Sequence, residues 1–88
     1  MIRKHIIFSG WVQGVGFRYR LRYASDLYGV TGWVKNNFDG TVEAEMQGEE
    51  KDIDSAIMTV EKGTYIKIEN LWANEISLIE NEHGFYIK

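Results

Sequence analysis

The sequence predicts an α+β domain in which two helices lie on one face of an antiparallel sheet, in the order β-α-β-β-α-β, with a short extra strand at the C-terminus. Three observations carry this. Runs of β-branched and aromatic residues recur along the chain and are broken by Gly, Asn or Asp. Two segments, each following an extended run, instead repeat apolar residues at helical spacing. The length of 88 residues suffices for one core and is too short for two, so residues 1–88 are expected to form a single domain.

Residues 4–12 read as the first strand, because Ile6-Ile7-Phe8 and Trp11-Val12 favour extended backbone and the run ends at glycines. Its near-continuous apolarity points to a central strand covered on both faces or nearly so. Phe17, Leu21, Ala24 and Tyr28 then recur at helical spacing, Leu27 widens the stripe, and Gly29 suits a left-handed cap, so Phe17–Tyr28 is an amphipathic helix. On that helix Arg22 stands four residues before Asp26, a supportive spacing; Arg20 points away, and Arg18 sits in the first turn.

Residues 30–36 read as the second strand, Asn37-Phe38-Asp39-Gly40 as a hairpin connection, and residues 41–47 as the returning strand. In the return, Val42, Ala44 and Met46 alternate with Glu43, Glu45 and Gln47, the pattern of a sheet with one buried and one wet face. Gly48 ends it. The acids Glu49, Glu50, Asp52 and Asp54 crowd the start of a second helix, where negative charge suits the dipole, and Ile53, Ala56, Ile57 and Val60 form its core stripe up to Lys62-Gly63. From Tyr65 onward the pattern is less regular. Ile66 and Ile68 alternate with Lys67 and Glu69, residues 75–79 resume an extended pattern, and Phe85 and Ile87 alternate with Tyr86 and Lys88. This predicts a fourth strand interrupted near residues 70–74 and a short fifth strand. The whole order is the split βαβ, or ferredoxin-like, arrangement.

Composition narrows the function classes. With 44% hydrophobic and 26% charged residues the chain is globular rather than disordered. No apolar run approaches the roughly 18 residues of a membrane span, and Met1-Ile2-Arg3-Lys4-His5 lacks a signal-peptide layout, so a cytoplasmic location and no membrane partner are expected. The absence of cysteine excludes a disulfide framework, a thiolate nucleophile and a Cys-based metal site, and His5 and His83 have no carboxylate at a ligand-like spacing, so no metal is expected. Net charge is −3, but residues 1–35 carry a net +5 and residues 36–88 a net −8. A small anion is drawn to the basic part, whereas a long polyanion also meets the acidic remainder, so nucleic acid is not an expected partner.

The basic part surrounds Gly10-Trp11-Val12-Gln13-Gly14-Val15-Gly16-Phe17-Arg18, which has the makings of an anion cradle. Glycines two apart let main-chain N–H groups converge, the first N–H groups of the following helix lack intrahelical partners, and Arg18 supplies a planar fork for two phosphate oxygens. Tyr19 stands where a dinucleotide fingerprint has its third glycine, and the Lys-Ser/Thr ending of a P-loop is missing. On these residues alone, an ordinary strand-to-helix turn with a surface arginine is an equal reading. Topology adds a neighbour. The first two strands of a split βαβ unit run the same way with the third between them, which sets Asn36, at the end of the second, about 10 Å from the first. Trp11 and Trp33 flank this region as rim or core residues, or as a surface for an acyl group.

At this point the chain resembles the acylphosphatases. Gly10 through Arg18, in the run quoted above, is similar to that family's first signature, and Gly32-Trp33-Val34-Lys35-Asn36, with Gly40, Val42 and Gly48 behind it, to its second. Length and element order agree over the whole chain, although the C-terminal third carries no comparable motif. The resemblance implies hydrolysis of acyl phosphates, which are carboxylic–phosphoric anhydrides, to a carboxylate and inorganic phosphate. It implies Arg18 as the phosphate-binding arginine, the backbone of Gln13, Gly14, Val15, Gly16, Phe17 and Arg18 as the phosphate loop, and Asn36 as the residue that orients the attacking water. The chemistry agrees with so sparse a site, because a carboxylate leaves without a general acid and phosphoryl transfer asks mainly for positioning and charge stabilisation. No cofactor and no metal are expected; the partners are a small acyl phosphate and inorganic phosphate as product and inhibitor, and the chain is expected to act as a monomer. The alternative is a non-catalytic ferredoxin-like module that binds an anion or RNA.

Overall fold

A computed structural model describes residues Met1–Lys88. The elements are β1 (Ile2–Trp11), α1 (Phe17–Tyr28), β2 (Thr31–Asn36), β3 (Val42–Gly48), α2 (Glu50–Glu61), β4 (Lys67–Ile76) and β5 (Phe85–Ile87). They form one sheet in the order β4-β1-β3-β2-β5. β1 pairs antiparallel with β3 and β4, and β2 pairs antiparallel with β3, whereas the short β5 runs parallel to β2, which makes the sheet mixed. The helices pack on each other over one face of the sheet, as the α+β reading expects. Between them and the sheet lies the core, with Ile6 and Phe8 from β1, Leu21 from α1, Val34 from β2, Met46 from β3 and Ile53 from α2 all fully buried.

The residues of α1 match the expectation at both ends, because glycines bound the stripe: Gly16 precedes it and Gly29 closes it in a left-handed cap. The Arg22–Asp26 pair expected on its surface is not among the ion pairs; Arg22 lies over the Tyr19 ring instead, 5.9 Å from its centroid. β1 is central, as expected, but helices cover only one of its faces. Its even residues Ile6 and Phe8 enter the core, while Arg3, His5, Ile7 and Trp11 point to the other face, where Trp11 is 66% exposed. The run looks continuously apolar because Ile7 and Trp11 occupy that second face.

The fourth strand departs most from expectation. No interruption occurs near residues 70–74: β4 runs unbroken along β1 and ends at Ile76, so the extended pattern of 77–79 is not part of it. A bulge lies there instead. Ser9 faces Asn70 and Gly10 faces Ile68, which leaves Glu69 as an extra residue and shifts the side-chain period by one. Before it Ile66 and Ile68 pack on the core; after it Leu71 and Ala73 share a cleft with Ile6 and Ile57 of the helix-covered face. Only glycine fits opposite this bulge, since Gly10 has φ +123° and a Cβ there would sit 2.3 Å from the Lys67 carbonyl oxygen.

On the open face, at the end of the sheet where β1 starts, Arg3 is fully buried under residues 77–82. Its Nε donates to Glu45 Oε1 at 2.8 Å, and Nη1 donates to Glu82 Oε1 at 2.7 Å and to Gln47 Oε1 at 3.2 Å. Gln47 in turn pairs with the Ile79 peptide, donating from Nε2 and accepting from the Ile79 N–H, both at 2.9 Å. Burial by itself raises the Glu82 carboxyl pKa, but hydrogen bonds from Arg3 and Thr31 together with the charge of Arg3 outweigh it and hold the group below the ordinary value of 4.5.

A carboxyl depressed on folding stabilises the native state above its unfolded pKa and loses that contribution as the pH falls through its folded value. Arg3→Met strands Glu45 and Glu82 and is expected to cost roughly 3 kcal/mol at pH 7. The original chain should also lose stability more steeply than the variant as the pH drops below 4.5. Urea unfolding of both chains at pH 7 and at pH 3.5, about one unit below the ordinary glutamate value, measures the two effects.

Candidate active site

The segment between β1 and α1 is pinned by apolar side chains at both ends. Val12 and Phe17 are buried, the Phe17 ring stacks at 57° on Phe8 with centroids 4.9 Å apart, and Val15 packs partly against the core. Between these anchors the backbone turns twice through the left-handed region, at Gly14 (φ +73°) and Gly16 (φ +81°). At both, a Cβ would meet no atom within 4 Å, so glycine is there for its backbone conformation rather than for space.

This path leaves main-chain donors unused. None of the N–H groups of residues 13–18 donates a hydrogen bond within the chain; the first one bonded in α1 outside its own ladder is Arg20, to the Gly16 carbonyl at 3.1 Å. The N-terminus of α1 has neither a side-chain cap nor an acidic residue in its first turn, so its partial positive charge is not offset locally. Arg18 stands in that turn, half-buried, and forms no salt bridge. Arg20 instead lies against the turn after α2, where its Nε is 3.0 Å from the position of a Cβ on Gly63. The cradle is a shallow surface feature: the clefts of the molecule are lined by other residues.

Asn36 closes β2. It pairs with Val42 of β3, which on its other side pairs with Phe8 of β1, so Asn36 lies two strand spacings, about 10 Å, from β1. Its Oδ1 is buried and accepts no hydrogen bond within the chain. A buried acceptor without a donor costs roughly 1–3 kcal/mol, so it calls for a reason other than stability. The turn that follows is tightly built. Asp39 Oδ1 accepts from the Thr41 N–H at 2.9 Å and the Thr41 hydroxyl at 2.6 Å, and Asn37 Nδ2 donates to Thr41 Oγ1 at 3.0 Å.

The two halves of the site touch through a contact that the sequence did not suggest. Gln13 Nε2 donates to the carbonyl oxygens of Asn37 at 2.7 Å and of Thr41 at 2.8 Å. Its expected role concerned only its main chain. The one available signal was a long amide placed between Val12 and a flexible glycine.

Other candidates are accounted for differently. Trp11 is exposed beside Thr64, Tyr65 and Lys67 in a cleft of about 530 Å³. Trp33 is covered by ammonium groups, with Lys88 Nζ 4.2 Å and Lys35 Nζ 5.9 Å from its ring centroid. His5 Nε2 lies 2.6 Å from Glu43 Oε2, and this hydrogen bond is the main reason the Glu43 carboxyl is held below its ordinary value. No three His, Asp or Glu side chains come together as a metal site. No helix is long and apolar enough to cross a membrane.

Comparison with known proteins places the chain in a family. The family model described as Acylphosphatase matches residues 4–87. The acylphosphatase of Geobacillus thermodenitrificans is 42% identical over 88 residues, covering 99% of this chain and 94% of the relative. Among solved structures, the acylphosphatase of Bacillus subtilis superposes with a TM-score of 0.89 at 37% identity, covering 100% of this chain and 99% of the other. That of Coxiella burnetii gives 0.85 at 32% identity, covering 99% and 92%. Since family model, relatives and solved structures each cover all or nearly all of the chain, it belongs to the acylphosphatase family, and its reaction is the hydrolysis of acyl phosphates.

Proposed function

We propose that residues 13–18 and Arg18 hold the phosphoryl group of the acyl phosphate while Asn36 holds the water that attacks it. The observation that carries this reading is the run of six consecutive N–H groups without an acceptor, set at the open end of a helix and beside an arginine without a carboxylate. Main-chain donors of this kind are preorganised for charge that spreads over the equatorial oxygens in the transition state, and the Arg18 fork adds a full charge to them. The buried Asn36 Oδ1 accepts a hydrogen bond from the water and orients its lone pair in line with phosphorus.

In the step itself the water oxygen forms a bond to phosphorus as the bond from phosphorus to the acyl oxygen breaks. The acyl oxygen leaves with the electron pair as a carboxylate. An amide is too weak a base to take the water's proton, so a phosphoryl oxygen of the substrate takes it, and the products are a carboxylate and inorganic phosphate. The leaving group needs no protonation, so this scheme uses no general acid, and it routes no step through a metal or cofactor. Phosphate, holding the same donors as the phosphoryl group, acts as a competitive inhibitor. Residues 1–88 work as one domain and as a monomer in the cytoplasm, and the acidic residues beyond position 36 oppose nucleic acid as a partner.

Hydrolysis of benzoyl phosphate in the presence of EDTA tests the scheme. Arg18→Ala is expected to lower kcat/KM by about a thousandfold and to weaken phosphate inhibition. Asn36→Ala is expected to lower kcat about a hundredfold with phosphate inhibition unchanged, since it loses water alignment and no phosphate contact. Full activity of Asn36→Ala overturns the role given to that residue.

A further inference from the structure

We propose that Gln13 is a positioning residue whose side-chain amide holds the phosphate cradle in register with the turn that carries Asn36. The inference rests on the reading above, in which Asn36 orients the water. Gln13 bonds two carbonyl oxygens, those of Asn37 and Thr41, at 2.7 and 2.8 Å. Two acceptors require the NH₂ end of the amide, so the orientation of the group follows from its partners. Both of its protons are used.

Without Gln13 the cradle and the turn belong to different parts of the chain. The cradle is held at its ends by Val12 and Phe17, and no N–H group of residues 13–18 donates a hydrogen bond within the chain, so Gln13 supplies its one side-chain hydrogen-bonded tie across to the neighbouring turn. The turn, in contrast, is braced without Gln13. The Asn37 N–H donates to the Thr41 carbonyl at 2.9 Å, the Gly40 N–H donates to the Asn37 carbonyl at 3.3 Å, and Asp39 locks Thr41. Each carbonyl that Gln13 reaches therefore already has one donor. Removing the amide strands no acceptor, so the loss falls on the relative placement of cradle and turn rather than on the folding of either.

Relative placement is what an in-line displacement needs. Phosphorus is positioned by a loop after β1 and the water by a residue at the end of β2, about 10 Å away across β3. An error of about 1 Å between such partners is enough to cost about a hundredfold in rate. Gln13 is the shortest connection between the two, because it stands in the cradle and bonds the residue next to Asn36.

A double-mutant cycle with Gln13→Met and Asn36→Ala tests this on benzoyl phosphate. Methionine keeps the length of the side chain and removes its donors. Gln13→Met alone is expected to lower kcat at least about tenfold while the inhibition constant for phosphate moves by less than about threefold. In the Asn36→Ala background the same change is expected to alter kcat by less than about twofold, because no held water remains to be misaligned. Equal losses in both backgrounds, or a loss carried by KM and phosphate affinity alone, overturn the proposal. The single Asn36→Ala variant separates the two claims: if it is impaired and the Gln13 effect is additive, only the positioning role fails. If it is fully active, the reading of Asn36 fails and the role of Gln13 falls with it. Should Gln13→Met not fold, as judged by its urea transition, Gln13→Glu, which presents a carboxylate to the two carbonyls, carries the same cycle.

Discussion

Six consecutive peptide N–H groups, those of residues 13–18, are kept away from every acceptor in the chain. Protein backbones rarely leave so many donors unpaired, and they do so stably only when neighbouring side chains hold the path. Here the path is held from outside. Val12 and Phe17 are sunk in the core at its two ends, Val15 leans on the same core, and left-handed turns at Gly14 and Gly16 allow the chain to pass between them. The sheet supplies the rest of the frame, because β1 and β2 run the same way on either side of β3 and deliver their C-terminal ends to one place.

Stability and chemistry are separated along the sheet. At the end where β1 begins, Arg3 pairs through Nε and Nη1 with Glu45, Gln47 and Glu82, leaving only its Nη2 without a partner, and the group clamps residues 77–82 over the open face. At the end where β1 finishes, the corresponding polar groups are left unsatisfied: six N–H groups, the Arg18 guanidinium and Asn36 Oδ1. Both ends carry arginines, but only the one at the cradle lacks carboxylates. The same residue type thus serves as a structural clamp where acids surround it and, where they do not, as the anion site proposed above.

How much of this could be read from the sequence follows from what each feature depends on. α1 was legible to the residue, because a stripe of period 3.6 is bounded by glycines. The left-handed glycines and the place of Arg18 in the first turn of α1 were legible because both are local, and topology alone set Asn36 about two strand spacings away. The path of β4 was not legible. A single extra residue, Glu69, moves the apolar positions from 66 and 68 to 71 and 73, and in a string of letters that shift looks like a break. The burial of Arg3 was hidden because its partner Glu82 is 79 positions away. The Gln13 contact was hidden for another reason: its partners are main-chain carbonyls, and the identities of Asn37 and Thr41 do not reveal where those oxygens point.

In the proposed reading the cradle binds the phosphoryl group through its main chain, and amide chemical shifts report on those donors directly. Titration of ¹⁵N-labelled protein with inorganic phosphate is predicted to move the N–H resonances of residues 13–18 along one saturating curve, with smaller shifts at Asn36 and Asn37 and little change near Arg3. Shifts centred on the cleft beside Met1, Thr31 and Ile79, or no shift at residues 13–18 under phosphate concentrations that inhibit hydrolysis, would rule out main-chain binding at the cradle.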